Sequence, residues 1–278
     1  MTTKKLFAVD LDGTLLNAFG EPHAADLVAL ADARREGHAV TILTGRLYSG
    51  TRDAAAAIKL LGPVGCVDGS HVVDTTTHQT LMHHALEGSP RERLLEALQE
   101  GSPATFVFAN DRIVCDARGS EFRPYVTTWS RDIDPTHDVF EHDVWTTPRG
   151  ITSIVAIGEA SSIDTVCDVL DRTAKGAFQL ATFPIRRLGS LVGLVVRSRE
   201  GDKGSALAWI AEHHGVAMKD TVCIGDWLND VPMFRVAGRS FAMGQAPAEV
   251  KSHASDVLVE NSQTGGGVAR AVATVLSR

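Results

Sequence analysis

Cysteine is scarce in this chain. Its 278 residues include only Cys66, Cys115, Cys167 and Cys223, no two closer than 49 positions. That spacing excludes a Cys-x-x-Cys zinc or redox pair and leaves small buried thiols as the expected role. No apolar run approaches the ~18 residues of a membrane span, and mean hydropathy is neutral at +0.01. Asp10 and Asp12 interrupt the first apolar stretch almost at once, so no export signal is expected. With the sparse cysteines, this points to a reducing cytoplasm. The histidine pairs His83-His84 and His213-His214 place neighbours on different sides of a helix or strand, and no His-Glu-x-x-His occurs. Core or surface histidines are therefore expected rather than metal ligands. Basic charge is in deficit: 27 Lys and Arg against 34 Asp and Glu give a net charge of −7, which argues against a general nucleic-acid binder. A small anionic substrate is still compatible, because a bound cation inverts the local field.

What is present is globular. Hydrophobic residues make up 44% and charged residues 22%, close to ordinary soluble proteins. Leu6–Val9 is a short apolar run ending at Asp10 and reads as a buried strand. Apolar residues at helical spacing follow over 24–35, closed by Gly37. A second strand covers 39–43, a helix 54–61 and a third strand 64–67. This alternation predicts an α/β fold with a doubly wound parallel sheet. After about His84 the rhythm changes. A helix over 92–98, a hairpin around Asn110-Asp111, a strand over 151–157, a helix over 163–173 and a strand over 178–182 suggest an inserted α+β unit. Residues 117–150 yield no pattern. Strand and helix then alternate again, with strands at 191–196, 221–224, 240–243 and 257–259 and helices at 205–214, 231–237 and 268–276. The expected organisation is a discontinuous Rossmann-like core, 1–85 and 187–278, carrying an insert at 86–186.

Four segments place polar groups beside apolar strands or helix starts. Asp10-Leu11-Asp12-Gly13-Thr14 sets two carboxylates and a flexible turn beyond a strand end, where α/β sheets bind ligands. It could equally be a plain turn or a helix cap. Thr44-Gly45-Arg46 offers a hydroxyl and backbone N–H groups suited to an anionic oxygen, or an ordinary strand-to-helix turn. Lys203 opens a helix, where the macrodipole disfavours a cation unless it faces an anion; a solvated surface lysine is the plainer alternative. Gly225-Asp226-Trp227-Leu228-Asn229-Asp230 puts a second acid pair and an amide after another buried strand, more than a cap requires.

In order, these segments resemble the four motifs of the haloacid dehalogenase superfamily, over roughly residues 5–84 and 188–277. One large insert between the second and third motifs, together with Gly244-Gln245-Ala246-Pro247, Val250-Lys251, Asp256 and Gly267-Val268, is similar to the Cof-like sugar-phosphate phosphatases. Two positions depart from the pattern: Asp68-Gly69, where many relatives carry Asn-Gly, and the bulky Trp227. The resemblance implies a Mg²⁺-dependent phosphatase acting on small phosphorylated metabolites, with no nucleic-acid or membrane partner. Asp10 would be the nucleophile forming an aspartyl-phosphate, and Asp12 the general acid and base. Mg²⁺ would be held by Asp10, Asp226 and the Asp12 carbonyl, with waters on Asp230. Lys203, Thr44 and Gly45 would cradle the phosphate, Asn229 would hold the phosphate or Asp230, and Arg46 either binds substrate or forms a surface ion pair. Arg118, Arg123, Arg186 and Arg187 are the candidate readers of the leaving group in the insert. Two other readings use the same nucleophile: a phosphomutase or phosphotransferase, and a non-catalytic phospho-accepting signalling module.

Overall fold

The computed structural model describes residues 3–185 and 189–276. In chain order its strands are β1 (Leu6–Val9), β2 (Ala39–Ile42), β3 (Pro63–Cys66), β4 (His71–Asp74), β5 (Thr80–His83), β6 (Ala104–Ala109), β7 (Arg112–Cys115), β8 (Ile133–Pro135), β9 (Ser153–Gly158), β10 (Phe178–Pro184), β11 (Val192–Ser198), β12 (Thr221–Gly225), β13 (Arg239–Ala242) and β14 (Asp256–Val257). By packing, the chain divides into two units. One comprises Met1–Gly45, Thr51–Met82 and Asp202–Arg278, and the other Arg46–Gly50 and His83–Gly201.

The first unit is built on a parallel sheet in the order β14-β13-β12-β1-β2. Every residue of β1 and β12 is buried, as strands covered on both faces must be. Leu6 and Ala8 share a core with Leu207 and Ile210 of the helix Lys203–His213 and Phe234 of the helix Val231–Val236. The helix Ala24–Arg35, expected at those residues, links β1 to β2 and packs on the helix Gly267–Leu276. A parallel bridge from Leu43 to Gly65 leads on to β3, which pairs antiparallel with β4 in a small sheet of order β3-β4-β5 that the sequence reading did not separate. The doubly wound parallel sheet is therefore present. Chain order runs outward from β1 to β2 on one side and through β12, β13 and β14 on the other. The reversal falls between β1 and β12, where Leu6 pairs with Thr221. Ligands in such sheets bind beyond the carboxyl ends of the strands at this point.

The second unit holds a six-stranded sheet in the order β10-β11-β9-β6-β7-β8, antiparallel except for β7 and β8. The helices Gly88–Gly101 and Ala160–Thr173 pack on one another and on the sheet. Their Leu94, Leu98, Ile163, Val166 and Leu170 form a core with Val107, Val114, Ile154, Ala156, Leu194 and Val196. The β6–β7 turn falls at Asn110 and Asp111, both with positive φ (51° and 61°), which is the backbone a two-residue hairpin turn needs.

One expectation is corrected here. The strand read at 191–196 as part of the resumed core is β11, and it pairs antiparallel with β9 and β10. Leu194 and Val196 complete the second core, so the chain re-enters the first unit at Asp202 rather than at residue 187. The helix expected at 54–61 begins and ends earlier, at Tyr48–Ala57. All four cysteines are free thiols; Cys66, Cys115 and Cys223 are buried and Cys167 is partly so. No described helix is long and apolar enough to cross a membrane.

Candidate active site

The carboxyl ends of β1 and β12 deliver the acids. The Asp10 N–H donates to Ile224 O at 3.0 Å, extending the β1–β12 ladder by one residue. The chain then curls back, with Leu15 N–H on Asp10 O and Leu16 N–H on Leu11 O. Gly13 makes this turn possible. Its φ is +85°, and a Cβ there would overlap the Asp226 carboxylate, so only glycine fits between the two loops. Asp12 is exposed on the same turn.

Lys203 is the first residue of its helix. Asp202 caps that helix, accepting from Ser205 N at 2.7 Å, while Ser205 Oγ accepts from Asp202 N at 3.0 Å. This reciprocal box fixes where the helix starts and aims Lys203 inward, where it is wholly buried. Its Nζ donates to Asp10 Oδ1 and to Asp230 Oδ1, both at 2.6 Å. The other Asp230 oxygen accepts from the Asp226 and Trp227 N–H groups at 2.8 and 3.0 Å. Asp230 thus holds both the lysine and the loop that carries Asp226. The surface-lysine alternative is excluded by this burial.

The charges do not balance. Asp10, Asp226 and Asp230 offer oxygens that all lie within 4.8 Å of one another, and one ammonium faces three carboxylates. Burial pushes Asp10 well above the usual carboxylate range; Lys203 pulls against that, while Asp230 and Asp226 add to it. Burial and the Asp230 charge push Asp226 up to about 6. Burial works against the Lys203 ammonium too, but Asp10 and Asp230 outweigh it and hold the group charged. Asp226 Oδ1 is buried without a hydrogen-bond partner. An all-oxygen acidic set with an unpartnered buried oxygen fits a hard divalent cation.

The phosphate-cradle candidates come together only in part. Thr44 is fully buried at the end of β2. Its backbone N–H, expected to face a ligand, instead donates to Gly65 O at 2.9 Å, because the Leu43–Gly65 bridge continues through it. Thr44 O accepts from Asp68 N at 2.8 Å. Asp68 has φ +52°, and a Cβ on Gly45 would stand 3.3 Å from Asp68 Oδ1. Asn229 Nδ2 donates to that oxygen at 2.6 Å, so its partner is Asp68 rather than Asp230. Asp68 also acts electrostatically on Lys203. Arg46 belongs to the second unit, where its Nη1 donates to Gly50 O at 3.2 Å.

Among the insert's arginines, Arg118 is engaged structurally. It bonds Asp116 through Nε and Nη2 and Ser102 through Nη1, and lies over the Phe140 ring. Arg123 is exposed at the start of a short helix, and Arg186 and Arg187 lie outside the described residues. Asp256 forms a two-bond ion pair with Arg239, two residues along β13 from its register partner Phe241.

Sequence reasoning gave no site role to Gln245. Its Nε2 donates to Gly13 O at 2.5 Å and to Asp226 Oδ2 at 3.1 Å. The signal was a Gly-Gln pair just past an apolar strand: Gly244 and Gln245 lie two and three residues beyond the end of β13, whereas Gly225 closes β12 and Asp226 follows it.

Comparison with known proteins bears on the family and the fold. A family model described as haloacid dehalogenase-like hydrolase matches residues 7–272. Phosphatase YwpJ of Bacillus subtilis is 25% identical over 94% of this chain and 96% of its own length. Pyridoxal phosphate phosphatase YbhA of Escherichia coli is 26% identical over 94% and 95%. The crystal structure of a haloacid dehalogenase-like hydrolase from Bacteroides thetaiotaomicron superposes with a TM-score of 0.83 at 20% identity, covering 98% of this chain and all of that one.

Proposed function

The chain belongs to the haloacid dehalogenase-like hydrolases and is a phosphoric monoester hydrolase, and from that premise we propose that it hydrolyses small phosphorylated metabolites, sugar phosphates among them, in a Mg²⁺-dependent reaction through an aspartyl-phosphate on Asp10. The observation that carries this reading is the buried Asp10 carboxylate, gripped on Oδ1 by Lys203 beside two further acids. A relative named for pyridoxal phosphate supports a small phosphorylated substrate. The second unit takes the role of a cap that selects the leaving group.

Lys203 occupies Asp10 Oδ1, which leaves Oδ2 to attack phosphorus. The Oδ2–P bond forms as the ester P–O bond breaks, and Asp12 gives its proton to the departing alcohol oxygen. Asp12, now a carboxylate, takes a proton from water as that water attacks phosphorus. The Asp10–P bond then breaks, releasing inorganic phosphate and restoring both acids. Lys203 stays cationic throughout and balances charge on the transferring group, for which positioning and charge stabilisation supply most of the rate. Asp230 keeps Lys203 and the Asp226 loop in place. Mg²⁺, held by Asp10, Asp226 and the Asp12 carbonyl, would offset the repulsion between carboxylates and phosphate. The four free thiols suit a reducing compartment.

The test is phosphate release from a panel of phosphorylated sugars and cofactors with Mg²⁺, by the native chain and by Asp10→Asn. The native chain should turn over members of the panel, while the variant, folded by circular dichroism, should not. Substantial turnover by the folded variant would remove Asp10 as nucleophile.

A further inference from the structure

Gln245 follows β13, whose neighbour β12 delivers Asp226. The backbone on its amino side is pinned: Met243 N–H donates to Gly225 O at 2.9 Å, Gly244 N–H to Glu260 O at 2.7 Å, and Lys251 Nζ to Gly244 O at 2.6 Å. From this fixed point the side chain reaches three segments. Its two amide N–H groups go to Gly13 O and Asp226 Oδ2, and its Oε1 accepts from Ser262 N at 3.2 Å. An exposed glutamine ordinarily keeps its rotamers free in water; this one gives them up for three directional bonds. The amide orientation is also fixed, because exchanging O and N would set Oε1 against the Gly13 carbonyl and the Asp226 carboxylate.

We propose that Gln245 is a positioning residue of the cation seat, holding Asp226 by Oδ2 and the nucleophile's turn by Gly13 O so that Asp226 Oδ1 is the oxygen kept for the metal. Two observations meet here. Asp226 Oδ2 has a partner and Oδ1, though buried, has none. The same amide also ties the loop of Asp226 to the loop of Asp10, so the separation of the two acids is set by a side chain that supplies neither. Partners of this kind fix which ligand oxygen is presented, and losing one costs about 10–100-fold in metal affinity.

The inference rests on the Mg²⁺ reading above, so its test measures binding directly. Mg²⁺ is titrated calorimetrically into the full native chain, Gln245→Met and Gln245→Glu. The methionine variant keeps the length and removes every polar bond. The glutamate variant keeps an acceptor for Ser262 N but turns the donor end into an oxygen facing two acceptors. Mg²⁺ affinity should fall about 10–100-fold in Gln245→Met; in Gln245→Glu the added carboxylate attracts the cation and offsets part of that loss, while the metal-free protein loses stability from the new repulsion with Asp226. Thermal unfolding of the metal-free methionine variant should match the native chain, and its phosphatase activity should recover as Mg²⁺ is raised. Mg²⁺ binding by Gln245→Met within about twofold of the native chain would overturn the role of Gln245 and leave the metal reading standing. A native chain that binds no Mg²⁺ would overturn both.

Discussion

Replacing Asp226 with asparagine should make the metal-free protein more stable at alkaline pH while abolishing its activity. Burial, then the Asp230 charge, raises the Asp226 carboxyl from 3.8 to about 6. A rise of about 2 units corresponds to about 3 kcal/mol. The folded state binds this proton more tightly than the unfolded chain does. The group's contribution to stability is therefore fully present below about pH 4, declines as pH rises, and is gone above about pH 6. Asp226→Asn has nothing to ionise there, so the stability gap between variant and native chain should open across that window. The asparagine's N–H can go unpaired where Oδ1 now sits, at a cost of about 1–3 kcal/mol. The net gain at about pH 8 should then be roughly 0–2 kcal/mol. Urea unfolding in EDTA at a series of pH values measures it through the midpoint at constant slope. Mg²⁺ should stabilise the native chain and leave the variant unmoved, since only a ligand bound by the folded state shifts that equilibrium. A variant less stable than the native chain at about pH 8, or a gap that does not change with pH, would refute the assignment of Asp226 as a carboxylate kept ionised against the fold's preference.

Two further outcomes follow from the same cluster. Lys203→Met strands Asp10 and Asp230 in the interior without their ammonium, and should cost about 3–5 kcal/mol in EDTA at neutral pH, read by urea unfolding; a loss below about 1 kcal/mol would show the pair to be dispensable. Asp68→Asn keeps an oxygen for Asn229 Nδ2 and removes a negative charge acting on Lys203. Inorganic phosphate should inhibit that variant about 3–10-fold more strongly than the native enzyme, and an unchanged inhibition constant would contradict a role for Asp68 in the charge of the cradle.

Much of the first unit was legible because its strands are apolar on both faces and its helices are long enough to complete several turns. Asp10, Asp226, Asp230 and Lys203 could be singled out because each adjoins such an element. What escaped has physical reasons. Residues 117–150 fold into two four-residue helices, a three-residue strand and a short 3-10 turn, none long enough to show a period. β11 is as apolar as a core strand, and its sequence does not say that its neighbours will be β9 and β10. The helix Tyr48–Ala57 starts six residues before the expected 54 and contains Gly50; a Cβ there would strike Trp129 O, so the glycine is a point of close approach inside a helix. Gln245 joins Gly13 across most of the chain's length, and no local pattern carries such a contact.

The pairing of β1 with β12 bears on how the protein is made. Among the described strands β1 is made before the others, yet one of its two neighbours begins only at Thr221. At about 5–20 residues per second, its open edge waits roughly 10–40 seconds for that partner. All six strands of the second sheet, β6 through β11, are synthesised within that interval. The inserted unit therefore has its whole sheet available before the nucleophile's strand is flanked on both sides. A chain stalled before Thr221 would expose the apolar edge of β1 with no catalytic cluster behind it, which makes this interval the one in which a chaperone would matter most.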